Sequence, residues 1–272
     1  MQWERMTSPQ LAQAAKEIGV CLLGLGVLER HGQHLPLGTD YVNVHRLCCL
    51  AAEQEPAVVF PPFYFGQVYE ARCFPGAITL RPTLLVELWQ AVLDEIGRNG
   101  FQKIILVNGH GGNSYLAGFI VQAALWEAKP YTLYLQQWHM DAKRREQLRK
   151  ILAPELGGHA GASETSMIMV NMPDDIDAEA IPPEPAPPQK RLAHLSESAF
   201  TAVNWYADYP EHYQGDARAA TPEMGRALQQ LAVEELVKFI RAVKEDRVAP
   251  VLQAEFFARE RNLRESPKDT AS

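Results

Sequence analysis

The chain has 272 residues, 47% of them hydrophobic, which is ample for one large α/β core. A net charge of -7 gives no basic footprint for nucleic acid or an anionic membrane, and it is compatible with a small neutral or cationic ligand. No apolar run approaches the roughly 18 residues that span a bilayer, and Met1-Gln2-Trp3-Glu4-Arg5-Met6 lacks the basic-then-apolar layout of a signal peptide, so a cytoplasmic location is expected. Cys21, Cys48, Cys49 and Cys73 form no Cys-x-x-Cys pair, and buried reduced thiols are expected.

In chain order, Ser8-Pro9 and the helix formers after it predict a short helix over 8–18, ended by Gly19. The apolar run 20–28 predicts a buried strand of a parallel sheet. Gly32, Pro36 and Gly38 make residues 29–40 a loop. Val44, Leu47, Cys48 and Leu50 recur at helical spacing within a helix over 42–53, and a second strand follows at 57–60, closed by Pro61-Pro62. The aromatic, glycine-rich stretch 63–82 has no clean period and reads as a functional loop.

A helix over 84–96 leads to the β-branched strand 103–107, a glycine-rich turn and a helix over 114–127. Strand 131–137, charged helix 141–152, another glycine-rich turn and helix 162–170 follow. Five prolines between Pro182 and Pro188 mark an extended surface segment. Thr221-Pro222-Glu223 opens a helix running to about Val243. Alternating strands and helices predict an α/β fold, with a single domain over 1–258 and a mobile polar tail over 259–272.

Three loops carry metal-ligand residue types. Glu29, His31, His34 and Asp40 follow the first strand, where open α/β sheets place their ligands, and strand alternation points Glu29 and His31 the same way. His110 follows strand 103–107 in Gly109-His110-Gly111-Gly112, and His159 and Glu164 lie in the turn 157–166. Imidazole and carboxylate without thiolate suit zinc, manganese or iron better than calcium. More than four ligands implies more than one ion, with a bridging carboxylate.

Each residue also has a plainer reading. A histidine in a glycine-rich turn is more often a hydrogen-bonded structural residue, the class to which His45, His139, His194 and His212 are assigned. Ser163-Glu164 can cap a helix, and turn 109–112 can cradle a phosphate, although neither Gly-x-Gly-x-x-Gly nor Gly-x-x-x-x-Gly-Lys-[Ser/Thr] occurs. His34 either orients Asp40 or Glu29 from behind or fixes the Leu35-Pro36 turn. Loop 63–74, with Glu70, either lines a pocket or packs a dimer. Joint occurrence of the three loops favours the metal reading.

Together, Glu29-x-His31-Gly32-x-His34-Leu35-Pro36-Leu37-Gly38-Thr39-Asp40, Asn108-Gly109-His110-Gly111-Gly112-Asn113 and His159-Ala160-Gly161-x-x-Glu164-Thr165-Ser166 resemble the creatininase (creatinine amidohydrolase) family. The later Ala220-Thr221-Pro222-Glu223-Met224-Gly225 is similar to a family helix start. The resemblance implies a three-layer α/β/α sandwich around a mostly parallel sheet, a two-metal centre, hydrolysis of a small amide or other non-peptide C–N bond, and a homo-oligomer, a hexamer of three dimers. Residue by residue, it implies Glu29 and His31 as ligands to different metals, Asp40 as the bridge, His110 on the metal of Glu29, and His159 as proton shuttle to the leaving nitrogen.

Two departures stand out. Creatininase proper has a glutamate two positions after the middle histidine that binds the other metal; Gly112 stands here, and Glu164 is assigned to the vacancy. Its substrate-side tyrosine and tryptophan are replaced by Gly111 and Glu155-Leu156-Gly157-Gly158. A formamide or small cyclic amide is therefore expected rather than creatinine, as in branches acting on formylamino-pyrimidines or peptide-derived cofactor precursors. The expected cofactors are two divalent ions, zinc first, with manganese or iron as alternatives. The expected partner is a small-molecule amide, without nucleic acid or membrane. The competing reading is a non-catalytic metal-containing binding or assembly protein on the same fold.

Overall fold

A computed structural model describes residues 1–136, 142–196 and 198–263. Among them, four strands form one wholly parallel sheet in the order β2-β1-β3-β4: β1 Val20–Leu25, β2 Val58–Val59, β3 Lys103–Asn108 and β4 Thr132–Gln136. Val20 stands opposite Lys103 and Leu25 opposite Asn108, so the carboxyl ends of β1 and β3 are level. Loops leaving the two strands therefore start side by side.

Both faces of the sheet are covered, as near-continuous apolar strands require. Cys21, Leu23, Leu25, Ile104 and Leu106 pack with α1 (Ser8–Glu17), α3 (Pro82–Arg98) and α4 (Asn113–Ala123). The alternate residues Val20, Leu22, Ile105 and Val107 pack with α2 (Thr39–Gln54) and α8 (Pro222–Glu245). This is the expected three-layer sandwich. It is completed by α5 (Ala142–Ile151), α6 (Ala162–Asn171), α7 (Asn204–Asp208) and α9 (Val248–Arg261). The Thr221 hydroxyl accepts the Met224 N–H, with Pro222 at the first helical position, so α8 opens as its sequence predicts. Among the described residues, no helix is long and apolar enough to cross a membrane.

Several boundaries differ from expectation. The first strand ends at Leu25 rather than residue 28, because the first turn of α2 passes beside Gly26, where a Cβ would stand 2.3 Å from the Tyr41 Cα. Gly109 makes the same allowance at the end of β3, where a Cβ would lie 2.4 Å from the Val44 Cβ. Helix α2 starts at Thr39 rather than residue 42, which puts Asp40 inside its first turn. The second strand shrinks to two residues, and α4 stops at Ala123. Helix α9 takes up Arg259 to Arg261 of the expected tail, while 264–272, His139 and the expected ends of strand 131–137 and helix 141–152 at Gln137 and Asp141 lie outside the described residues. Cys73 is exposed, whereas Cys21, Cys48 and Cys49 are buried.

One contact ties the sheet to its covering helix. Lys103, 8% exposed, sends its Nζ to the carbonyls of Val243, Lys244 and Asp246 at 2.7, 3.0 and 2.6 Å. Carbonyls at a helix end lack intrahelical partners and carry the negative end of its dipole, so a buried ammonium is well placed there. Lys103→Met keeps the stem and removes all three donations. It is expected to destabilise the protein by roughly 2–3 kcal/mol in urea unfolding, and a loss under about 0.5 kcal/mol would contradict this role.

Candidate metal centre

The chemistry-bearing side chains meet at the carboxyl edge of the sheet. Glu29 and His31 lie in the loop after β1, His110 two residues beyond β3, Asp40 in the first turn of α2 and Glu164 in the first turn of α6. A carboxylate in a helix's first turn is favoured by the dipole. The loop is held closed by Glu29 N–H donating to Leu37 O at 3.1 Å, and Asn113 links it to the neighbouring segment by accepting Gln67 N–H at 2.8 Å and donating to Leu25 O.

Glu29, His31, Asp40 and His110 are 1%, 0%, 4% and 8% exposed, so their charges have to be compensated within the protein. Asp40 divides its oxygens: Oδ1 is 3.1 Å from His31 Nε2 and Oδ2 is 2.8 Å from His110 Nδ1. Glu29 Oε1 is 2.9 Å from the same His110 nitrogen, and Glu164 Oε2 is 3.6 Å from His31 Nε2. Among the described residues, three donor sets have ligand atoms within 4.8 Å of one another: Glu29, Asp40 and His110; His31, Asp40 and Glu164; and Glu29, His31 and His159.

The proton positions follow from the outer contacts. His31 Nδ1 meets the Glu29 carbonyl at 3.2 Å, His110 Nε2 the Gln67 carbonyl at 3.0 Å, and His159 Nε2 the Arg30 carbonyl at 2.8 Å. A carbonyl only accepts, so each of those nitrogens donates and the other ring nitrogen presents a lone pair. All three lone pairs face carboxylate oxygens. Two of those oxygens, Glu29 Oε1 and Asp40 Oδ2, are buried without a hydrogen-bond partner. Lone pair against carboxylate is repulsive unless a cation or a proton lies between them, and a histidine donating its other N–H to a backbone carbonyl is the arrangement of metal-ligating imidazoles. The donor set therefore fits divalent cations.

Without a cation, protons take that place. Burial alone would lower His31, but Asp40, Glu164 and Glu29 outweigh it and push its pKa up to about 10. Glu29 and Asp40 likewise outweigh burial at His110 and raise it well above its ordinary value. Burial would raise Glu29 and Asp40, yet the facing histidines hold both below the usual carboxylate range. Glu164 is pushed up to about 7 by burial, opposed by His31 and reinforced by Asp40. Its side chain is 31% exposed toward a cavity, so water tempers that rise. His159 is lowered to about 4 by burial and by the charge of His31, against which its ring stacks at 4.2 Å.

Six of the seven residues singled out on the three loops, all but His34, thus come together. At Gly112 a side chain has no room, since a Cβ would lie 2.4 Å from Gln67 Oε1 and 2.6 Å from His110 Nε2. Glu164 faces the cluster from the first turn of α6 and also accepts the N–H of Ala160, a residue before the helix cap Gly161, at 2.6 Å. His34 contacts neither Asp40 nor Glu29: its Nε2 donates to Thr165 Oγ1 at 2.9 Å, and that hydroxyl donates to Ala160 O, which ties the first motif to the third. His45 meets Cys49 Sγ at 3.5 Å and His194 is exposed, as plain structural residues.

His212 belongs to the site although its sequence context gave no sign of it. It is 1% exposed and donates from Nε2 to Glu29 Oε2 at 3.1 Å. Trp205, also unmarked in the sequence, stands edge-on to His159 at 5.6 Å. The loop at 63–74 supplies Gln67 and Glu70 to a cavity of about 1300 Å³ that also takes in Glu29, Asp40, His110, His159 and Glu164 of the cluster and is lined further by Phe200 and Tyr206. Of its two readings, pocket lining is the one observed.

The family model described as creatinine amidohydrolase matches residues 4–240. The chain is 29% identical over 188 residues to creatinine amidohydrolase of Pseudomonas putida, covering 62% of this chain and 72% of that protein. It is 27% identical over 197 residues to the mycofactocin precursor peptide peptidase of Mycolicibacterium smegmatis, covering 69% and 72%. A solved structure of creatininase with manganese in its name superposes with a TM-score of 0.76 at 23% identity, over 90% of this chain and 99% of that one. With a model matched from the N-terminal turns almost to the end of α8, and the same sandwich in a solved member, the chain belongs to the creatininase family.

Proposed function

We propose that the protein is a metal-dependent amidohydrolase that cleaves the C–N bond of a small cyclic amide, formamide or related compound at two divalent ions, zinc first, with manganese or iron as alternatives. The observation that carries this reading is the division of Asp40, one oxygen toward His31 and the other toward His110, which is how a carboxylate shared by two ions would be presented. Glu29, Asp40 and His110 would hold one ion; His31, Asp40 and Glu164 would hold the other. When bound, such ions acidify a water and polarise the scissile carbonyl.

The chain's own residues supply the rest. His159 is neutral at pH 7 and fixed by its Nε2 donation to Arg30 O, so Nδ1 is free to take a proton and pass it to the leaving nitrogen, which amine expulsion requires. Nothing lies within 4 Å of a Cβ built on Gly111, so that side of the cavity is open and lacks the side chain that accompanies creatinine in creatininase proper. Of the relatives, one is named for creatinine and one for a precursor peptide, so substrate differs within the family. A cavity of about 1300 Å³ exceeds the ~300–1000 Å³ of ordinary small-ligand sites and leaves room for an amide with a larger flank. The same proposal includes a single domain over 1–258, a cytoplasmic location and a homo-oligomer, a hexamer by resemblance.

A second reading keeps the ions but makes His159 a ligand, because Glu29, His31 and His159 also form a donor set. A non-catalytic binding or assembly protein is the third. Metal analysis of the purified protein is expected to give about two ions per chain, about one after Glu164→Ala, and one or none after Asp40→Asn. A parent that stays metal-free after reconstitution with zinc or manganese would overturn the hydrolase reading. His159→Ala is expected to keep its ions and lose roughly 10²–10⁴-fold in turnover of a screened amide, whereas loss of metal would make it a ligand instead.

Protons compete with cations for the lone pairs of His31 and His110, whose pKa values are raised. Affinity for zinc is therefore expected to rise with pH between 6 and 8, about tenfold per unit for each proton displaced. Chelator-buffered titrations at the two ends of that range measure it, and a flat profile would contradict the assignment.

A further inference from the structure

We propose that His212 is a positioning residue that fixes Glu29 so that only one of its carboxylate oxygens faces the cluster, an inference that rests on the metal reading above. The two oxygens of Glu29 have different partners. Oε2 accepts from His212 Nε2 at 3.1 Å, while Oε1 faces His110 Nδ1 at 2.9 Å and His159 Nδ1 at 3.9 Å with no hydrogen-bond partner. A buried carboxylate with one oxygen held by a donor cannot turn freely, so the other oxygen is presented in one orientation.

His212 is itself firmly held. Its backbone has φ 52°, in the left-handed region that few non-glycine residues adopt, and it persists where the surroundings determine it. Its carbonyl accepts the Gly32 N–H at 2.8 Å and its own N–H donates to Tyr209 O at 3.1 Å, which clamps the segment onto the loop that carries Glu29. The ring is packed edge-on against Phe74, His159 and Trp205 at centroid separations of 5.4, 5.0 and 6.2 Å. Its Nδ1 is buried without a partner, so among the described residues Nε2–H makes the one hydrogen bond of this ring. A ring buried at 1% exposure with a single donation, made to a carboxylate of the cluster, is placed for that donation rather than for packing alone.

The alternative is that the ring simply fills space, and two substitutions separate these. Phenylalanine keeps a ring and removes the donor, whereas the glutamine amide nitrogen can reach the place of Nε2. Zinc affinity of the full chain, measured in chelator buffers, is expected to weaken about 10–100-fold in His212→Phe and to recover within a few-fold in His212→Gln. In a Glu29→Gln background, His212→Phe is expected to add less than about twofold, since it acts through that carboxylate. Thermal unfolding of the metal-free proteins confirms that each variant is folded. Parent-like affinity in folded His212→Phe, or equal loss in folded His212→Gln and His212→Phe, would overturn the positioning role while leaving the metal centre intact. A parent with no zinc affinity would overturn the metal reading and this inference together.

Discussion

Glu29 and Asp40 are buried at 1% and 4% exposure, with oxygens turned on ring nitrogens whose other sides are already committed to carbonyls. Isolated buried carboxylates are costly, so the cluster has to import positive charge. With neutral histidines, Glu29 and Asp40 carry two negative charges and Glu164 supplies a third when it ionises, so either protons on His31 and His110 or divalent cations can answer them. The raised pKa values of those histidines and the depressed ones of Glu29 and Asp40 are two faces of this one demand.

The fold meets the demand by bringing backbone ends together rather than by building one motif. Level ends of β1 and β3 set Glu29, His31 and His110 in one place. Gly26 and Gly109 omit side chains where α2 presses in, which brings Asp40 to the junction of both loops. His34, through Thr165, draws the first turn of α6 against the first motif, and Glu164 arrives with it. Each of these approaches depends on a short contact, so the geometry of the cluster is set by packing at its rear.

The α/β alternation and the loops that carry the six principal residues were legible in the sequence because they follow local rules, while the three layers were implied by the family resemblance. Parallel strands are apolar on both faces, glycines mark the turns, and ligand types cluster after strands. What was not legible depends on distance in the chain. His212 lies 183 positions from Glu29 and follows no motif, and Trp205 sits in a stretch without periodicity. The partner of His34, Thr165, is 131 residues away, so the reading that it orients Asp40 or Glu29 could not succeed. Helix α9 escaped notice because Val248, Val251, Leu252 and Phe256 are exposed, which blurs the apolar stripe that marks a surface helix.

The proposed placement of a ligand on α6 rather than after β3 has a steric logic. At Gly112 the space a side chain would need is filled by Gln67, whose carbonyl orients His110 and whose amide donates to Glu70 at 3.0 Å. A glutamate there would displace the group that fixes the His110 tautomer. Glu164 reaches the cluster from the opposite side, on a rigid helix turn, without disturbing that contact. Gly109, Gly111 and Gly112 leave the turn without side chains around His110, and the turn lines the cavity. The crowding at Gly112 and the open turn at Gly111 are thus two features of one short glycine-rich segment, and the carboxylate that faces His31 comes from α6 instead. The proposed centre therefore keeps its carboxylate count while the wall beside it opens.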